Sequence, residues 1–233
     1  MKLKTAVVLA GGAGMRLRPY TENIPKPMIE VSGKPLIHWI VEWLARNGIE
    51  KVVIGVAYMK EKVIEYFQNH DMDVEIVFSH HFLESGTGGG FKLAIRNANI
   101  KDETFLAMNG DELTDVSLEN LMRFHLSQGS MVTLMAAPLN TNFGVVKIDS
   151  NNRITEFREK PLIDSVFINT GVYLFNRAIE DFLPEQGSIE KITFVELAKK
   201  RQMAAFRYYG FWRTVNTEKD LKRIEKEIEL LRS

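Results

Sequence analysis

Residues Leu9 to Pro35 read LAGGAGMRLRPYTENIPKPMIEVSGKP, and the architecture of the chain can be worked outward from them. Ala6, Val7, Val8, Leu9 and Ala10 have the length and β-branched content of a buried parallel strand, which ends abruptly in Gly11-Gly12-Ala13-Gly14. A strand that runs into glycines presents backbone N–H groups at its carboxyl end. Ligands of open α/β sheets bind at that edge, and glycine lets a phosphate approach the main chain with no Cβ in the way. Arg16, Arg18, Lys26 and Lys34 follow in the same segment and add cationic side chains. Backbone donors and cations together describe a cradle for a polyphosphate.

The dinucleotide pattern G-x-G-x-x-G is met only in part, because Leu17 stands where close helix packing needs a small residue. No Walker A string, G-x-x-x-x-G-K-[ST], occurs. A plain turn would account for the glycines alone. It does not account for Arg16, Pro19, Thr21, Pro25-Lys26-Pro27-Met28 and Gly33-Lys34-Pro35 in fixed order. With these residues the segment closely resembles the signature of the sugar-1-phosphate nucleotidylyltransferases, GGxGxRLxPxTxxxPKPM followed by GKP. The resemblance implies a Rossmann-like three-layer α/β/α nucleotidyltransferase fold, with a mainly parallel mixed sheet and a small antiparallel lobe that binds the acceptor. It further implies that Leu9, Ala10, Gly11, Gly12, Gly14, Met15, Arg16 and Lys26 contact the nucleotide.

Composition agrees. A length of 233 residues, 45% of them hydrophobic, suits one large α/β domain. Thirty Lys and Arg balance thirty Asp and Glu, so no global field draws in nucleic acid or an anionic membrane, and phosphate affinity must be local. There is no cysteine, hence no disulfide and no thiolate metal site. The apolar run after Met1-Lys2-Leu3-Lys4 is too short for a signal segment or a membrane span. The expectation is a soluble cytoplasmic protein that binds neither nucleic acid nor membrane.

In chain order, Pro35 suits a first helical position, and Leu36, Ile37, Ile40, Val41 and Leu44 recur at helical spacing up to Asn47-Gly48. A strand over Lys51 to Val56, a helix over Lys60 to Gln68 and a strand over Val74 to Phe78 follow, an alternation that builds a parallel sheet. Trp39 and Trp43 share a helical face and read as core or subunit contact. His80 and His81 are adjacent on an extended segment, point to opposite faces and make a poor metal pair. From Met131 onward strands dominate: Met131 to Ala136, Val145 to Ile148, Ile154 to Glu159 and Val166 to Phe175, with turn-rich connections that favour antiparallel pairing. Glu218 to Leu231 is an amphipathic helix expected to cap the fold or to join a homo-oligomer interface. No linker or repeat intervenes, so residues 1–233 read as one domain. Residues 1–130 would serve mainly the nucleotide, 131–217 mainly the sugar phosphate, and 218–233 form the terminal helix.

Further elements of the resemblance lie along this frame. Gly86-Thr87-Gly88 opens a helix after a strand, a second place where backbone can meet a ligand, and it resembles the family's base-contacting loop; His81 falls where relatives carry a base-reading side chain. Asn109-Gly110-Asp111 matches an NGD element whose aspartate holds Mg²⁺, with Glu112 behind it and Asp115 suited to cap the helix near Ser117. Phe143-Gly144, Phe157 to Pro161 (FREKP) and Ile168-Asn169-Thr170-Gly171-Val172-Tyr173 resemble the sugar-phosphate site. Lys160 can neutralise the acceptor phosphate, while Glu159 and Asn169 suit sugar hydroxyls. Gly144 and Thr170 complete that group. The closing segment Phe211 to Thr217 resembles FWxxMDT of the cytidylyltransferase branch, but Asn216 stands where that branch has a second metal-binding aspartate.

The resemblance implies that the phosphate of a sugar 1-phosphate attacks the α-phosphorus of a nucleoside triphosphate while pyrophosphate leaves, a reaction served by positioning and charge neutralisation. Arg16, Lys26, Asp111 and Lys160 are the candidate catalytic residues, with Mg²⁺ on Asp111 and Asn216. Length and the Gly86 to Gly89 loop resemble mannose- and heptose-1-phosphate guanylyltransferases. Ser32 to Pro35 and the Phe211-Trp212 ending resemble glucose-1-phosphate cytidylyltransferases.

Overall fold

The computed structural model describes residues 2–228. Strand β1 (Thr5–Leu9) forms at the expected place; its side chains are shielded on both faces, the setting in which a continuous apolar run is stable as a strand. A short hairpin of β2 (Glu30–Val31) and β3 (Lys34–Pro35) leads into α1 (Leu36–Arg46), β4 (Lys51–Val56), α2 (Lys60–Gln68), β5 (Glu75–His80), α3 (Gly86–Asn97) and β6 (Thr104–Asn109). Next come β7 (Glu112–Thr114), α4 (Leu118–Gln128), β8 (Val132–Asn140), β9 (Val145–Ile148), β10 (Ile154–Arg158) and β11 (Leu162–Asn176). The described chain ends with α5 (Thr193–Lys199), β12 (Met203–Arg207), β13 (Trp212–Thr214) and α6 (Glu218–Glu227).

Seven strands form one mixed sheet in the order β12-β8-β11-β6-β1-β4-β5. β1 is parallel to β4 and β6, β4 to β5, and β8 to β12, whereas β11 runs antiparallel to both of its neighbours. Helices cover both faces. On one side α1, α2, α4 and α6 pack Ile40, Phe67, Leu121 and Ile224 into a core with Val8 and Ile54. On the other, α3 and α5 pack Phe91, Ile95 and Phe194 against Val7, Val53 and Tyr173. Val7 and Val8 fall in different cores because successive strand residues face opposite ways. The result is the expected three-layer α/β/α arrangement with a mainly parallel sheet, and Trp39 and Trp43 are both core residues. Among the described residues no helix is long and apolar enough to cross a membrane.

Details depart from expectation where local chemistry had two solutions. Pro35 precedes α1 with extended backbone instead of opening it. Ser117 caps α4, accepting from the Asn120 N–H at 3.2 Å, while Asp115 accepts from the Phe211 N–H at 3.0 Å and from the Tyr208 hydroxyl. Ser117, directly before the helix, holds the cap position, and Asp115 instead ties down the segment at Phe211. In α6, Leu221 and Ile224 are buried against the sheet-covering core, and Thr217 with Asp220 forms its capping box. Leu231, expected on the same stripe, lies outside the described residues.

Two features set up the site. The ends of β1 and β6 are in register, Leu9 opposite Gly55 on one side and Asn109 on the other, so their following loops emerge together. The first half of β11 pairs with the far end of β8, Leu162 opposite Asn140, and carries an antiparallel β9–β10 hairpin out beyond the sheet.

Candidate active site

A cavity of about 300 Å³ opens at the carboxyl ends of β1 and β6. Leu9, Ala10, Gly11, Gly12 and Lys26 from the first loop line it, together with His81, Gly86, Thr87, Asn109 and Asp111. All ten were singled out from the sequence. Pro27 and Gly110, which lie inside the quoted motifs without a role of their own, line it as well, as does Leu83, which no motif includes.

The glycines have separate reasons. A Cβ on Gly11 would lie 2.5 Å from His81 Nε2, so Gly11 lets the imidazole close against the loop. Gly12 has nothing within 4 Å of its would-be Cβ and leaves the mouth open. Gly14 has φ +62 and sits against the Lys26 and Thr21 side chains; Thr21 donates its hydroxyl to the Gly14 carbonyl at 2.9 Å. That turn delivers Lys26 into the site. Met15 and Arg16 follow on an exposed 3₁₀ turn, outside the cavity lining.

Lys26 is the centre of the cluster. It is 9% exposed, and its ammonium ion-pairs with the Asp111 carboxylate and donates to Asn216 Oδ1 at 3.0 Å. Arg16 donates to the same Asn216 oxygen at 3.0 Å. The structure thus brings together Arg16, Lys26, Asp111 and Asn216, which the chain scatters over 200 positions. Lys34 is not among them. It pairs with both Glu42 oxygens at 3.2 Å and lies over the Trp39 ring, because the β2–β3 hairpin turns it away from the cavity. Among the described residues no three acidic or histidine side chains converge into a metal cage. The oxygens of Asp111 and Asn216 nonetheless suit Mg²⁺, which takes one or two protein oxygens and completes its shell with phosphate and water.

Glu112 is 7% exposed behind Asp111; burial, with the neighbouring carboxylate, pushes its pKa well above the usual range. Trp212 Nε1 donates to it at 2.9 Å and to the Thr170 carbonyl at 3.0 Å.

The helix-opening loop is held from the far side by residues 184–190. The Thr87 hydroxyl donates to Glu190 at 2.8 Å and accepts from the Ile189 N–H at 2.9 Å, and the Gly88 N–H donates to the Gly187 carbonyl at 2.9 Å. The Thr87 side chain and the Gly88 N–H are therefore engaged with protein, leaving backbone at Gly86 and Thr87 to face the cavity. His81 sits opposite; burial lowers its pKa, so the neutral ring is favoured, and its Nδ1 is buried without a hydrogen-bond partner. Glu190 had no local signal, since a lone Glu a hundred residues from its partner looks like any surface acid.

In the outer lobe Gly144 leaves room for the Phe157 ring and the Glu159 carboxylate; a Cβ there would lie 2.6 Å from the ring and 3.2 Å from Glu159 Oε2. Lys160 pairs with Glu159 at 3.2 Å, each side chain 60% exposed, and Lys160 has φ +43, a strained value for a side-chain-bearing residue. Asn169 donates to the Tyr173 hydroxyl and accepts from the Gly171 N–H, both at 2.9 Å, which stabilises the left-handed Gly171. Thr170 is fully buried and gives its hydroxyl to the Met135 carbonyl, so its side chain faces away from any ligand.

The chain is similar to several known proteins. It is 33% identical over 221 residues to mannose-1-phosphate guanylyltransferase catalytic subunit beta of Drosophila melanogaster, covering 92% of this chain and 60% of that one. Its identity to UTP–glucose-1-phosphate uridylyltransferase of Synechocystis is 31% over 196 residues, covering 77% of this chain and 50% of that protein. It spans about three fifths of the length of the guanylyltransferase relatives. The crystal structure of HddC from Yersinia pseudotuberculosis superposes with a TM-score of 0.77 at 23% identity, covering 97% of this chain and all of that one, which shows a shared fold. The family model for nucleotidyl transferases matches residues 5–229, and the chain belongs to that family.

Proposed function

We propose that the protein is a sugar-1-phosphate nucleotidylyltransferase, forming an NDP-sugar and pyrophosphate from a nucleoside triphosphate and a sugar 1-phosphate. The observation that carries this reading is the meeting of Lys26, Asp111, Asn216 and Arg16 at the rim of a cavity walled by glycine backbone. A base lodged between His81 and the Gly86-Thr87 backbone would put its triphosphate over the first loop. An oxygen of the acceptor phosphate attacks the α-phosphorus, the bond from that phosphorus to the β-phosphate bridging oxygen breaks, and pyrophosphate leaves. The attacking oxygen is already ionised, so no general base is required and the chain's task is to hold two anions together.

Arg16 is assigned to the leaving pyrophosphate, Lys26 to the α- and acceptor phosphates, and Lys160 to the acceptor phosphate, with Glu159, Gly144 and Asn169 beside the sugar. Mg²⁺ held by Asp111 and Asn216 would neutralise phosphate charge. Residues 1–130 serve mainly the nucleotide and 131–217 mainly the acceptor, within one domain. A cytoplasmic setting belongs to the same reading, and the cysteine-free sequence permits it without requiring it.

Guanylyl transfer to mannose or heptose 1-phosphate is the preferred specificity, supported by the guanylyltransferase relatives. Glucose 1-phosphate with a pyrimidine triphosphate is the second reading, favoured by the uridylyltransferase relative and the Phe211-Trp212 ending. Pyrophosphate release measured for five triphosphates against a panel of sugar 1-phosphates decides between them. Nucleotide binding with no release in any combination would instead make the protein a binding or regulatory one.

A further inference from the structure

The β9–β10 hairpin turns an apolar face to water. Directly opposed residues of an antiparallel pair share a face, and the register sets Val146 opposite Phe157 and Ile148 opposite Ile154. Thr155 bulges between the two rungs, so Ile154 and Phe157 lie on the same side although three positions apart. All four are exposed, from 37% at Val146 to 63% at Ile154. The other side carries the charges. There Lys147 pairs with Glu156, directly opposite, at 2.5 Å, and Arg158 reaches the same carboxylate at 2.9 Å. Neither core includes any of the four apolar residues, and among the described strands β9 and β10 pair only with each other. A lone two-stranded ribbon is marginal in water, and this one gains no burial from its apolar side.

We propose that this face is the contact between two copies of the chain, related by a two-fold axis that lays the tip of each hairpin over the root of the other. The area fits such a pair. Taking about 200 Å² for a whole aromatic side chain and somewhat less for a branched aliphatic one, the four residues expose roughly 400 Å² per copy. Two copies bring about 800 Å² of apolar surface together, and apolar atoms supply about 65% of a homodimer interface, so the full contact is about 1,200 Å², the lower end of specific interfaces. Charge fits as well. Lys and Arg balance Asp and Glu, so two copies do not repel as wholes. The Glu159 carboxylate shares the apolar face at the root, since it and the Phe157 ring both lie against Gly144. At the tip stands Arg153, which is exposed. Packed tip to root, the Ile148–Ile154 rung rests on the partner's Val146–Phe157 rung, β10 lies over β10, and Arg153 meets the partner's Glu159. The two-fold axis makes each of these contacts twice. Pairing of copies is independent of which reaction the site performs.

Sedimentation velocity of the parent chain from about 1 to about 100 μM should show a reversible monomer–dimer equilibrium, because interfaces of this size start at micromolar affinity. Ile148→Asp combined with Ile154→Asp places unpaired carboxylates in the contact and should weaken association about a hundredfold or more, with the far-UV circular dichroism unchanged. Arg153→Glu should weaken it several-fold, and adding Glu159→Arg should restore it. The sequence has no cysteine, so introduced thiols report cleanly. On mild oxidation a Val146→Cys chain mixed with an Ile148→Cys chain should form a disulfide between copies faster than either chain alone. A parent that stays monomeric throughout, or an acidic double variant that dimerises like the parent, would overturn the proposal. Like-with-like cross-linking that outruns the mixed pair would overturn the tip-to-root arrangement. Should the acidic variant fail to fold, the cysteine chains decide alone, and absence of the mixed disulfide then counts against the contact.

Discussion

Lys26 occupies the position that a divalent cation would also seek, between the Asp111 carboxylate and the Asn216 amide oxygen. The ammonium is thus the counter-ion of the cluster, and in the proposed reaction a triphosphate would offer it a more highly charged partner. Replacing Lys26 with Ala removes a contact that strengthens as charge develops on the reacting phosphates, so turnover should fall about 10²-fold or more. Wild-type steady-state rates in that variant would remove Lys26 from the reaction. Asp111→Asn should abolish Mg²⁺-dependent turnover. Asn216→Asp makes the opposite change, adding charge to an oxygen already directed at the cluster, and should lower the Mg²⁺ concentration for half-maximal rate. A magnesium titration that leaves the half-point unmoved would place Asn216 outside the metal shell.

Elements, more than single residues, decide which motif positions reach the cavity. Gly89 in α3 has no room for a methyl, since a Cβ would lie 2.4 Å from the Glu185 carbonyl oxygen. Glu190 ties the same helix start to the following segment through Thr87 and Ser188. Glu190→Ala should therefore loosen the base loop and raise KM for the triphosphate several-fold, with kcat and the KM for sugar phosphate little changed; steady-state kinetics with each substrate varied in turn check this. The β9–β10 hairpin makes the complementary prediction. Lys160 lies in the turn that leaves this hairpin for β11, exposed and paired only weakly, as expected of a surface ion pair, so Lys160→Ala should raise KM for the sugar 1-phosphate. If it weakens triphosphate binding instead, the two phosphate subsites have been exchanged. The first loop was legible in the sequence because strand, glycines, arginine and lysine are contiguous and fix one another. Lys34 was misplaced because nearness in the chain says nothing about direction after a two-residue turn. Glu190 escaped notice because its partner is remote, and Thr170 was given a ligand role although its strand position turns the hydroxyl inward.

At the scale of the whole molecule, the strand–helix alternation and the switch to antiparallel pairing after Met131 were readable from periodicity, since burial on two faces or one leaves a direct trace in the apolar pattern. The protonation state of the interior was not, because it depends on which histidines the packing encloses. His38, His81 and His125 each have a pKa lowered from the ordinary 6.5, in every case chiefly by burial. Lys34 and His70 push His38 further down while Glu42 opposes, and at His81 the nearby Ser79 backbone opposes the effect of burial. The unfolded chain binds protons at these sites near pH 6.5 and the folded chain does so only at lower pH. Their contribution to stability is therefore complete above about 6.5 and is lost as pH falls through the depressed values, at no more than about 1.4 kcal/mol per pH unit for each proton. Glu112, with its raised pKa, works in the opposite sense, but one carboxyl stands against three imidazoles. Urea unfolding should accordingly give a lower midpoint at pH 5.5 than at pH 7.5. His125 isolates the effect, because it is buried in α4 with Nδ1 2.8 Å from the Thr133 hydroxyl and lies away from the cavity lining. His125→Gln should cost stability at pH 7.5 yet flatten the dependence on pH; a pH slope as steep as that of the parent would show that His125 is not held neutral by its surroundings.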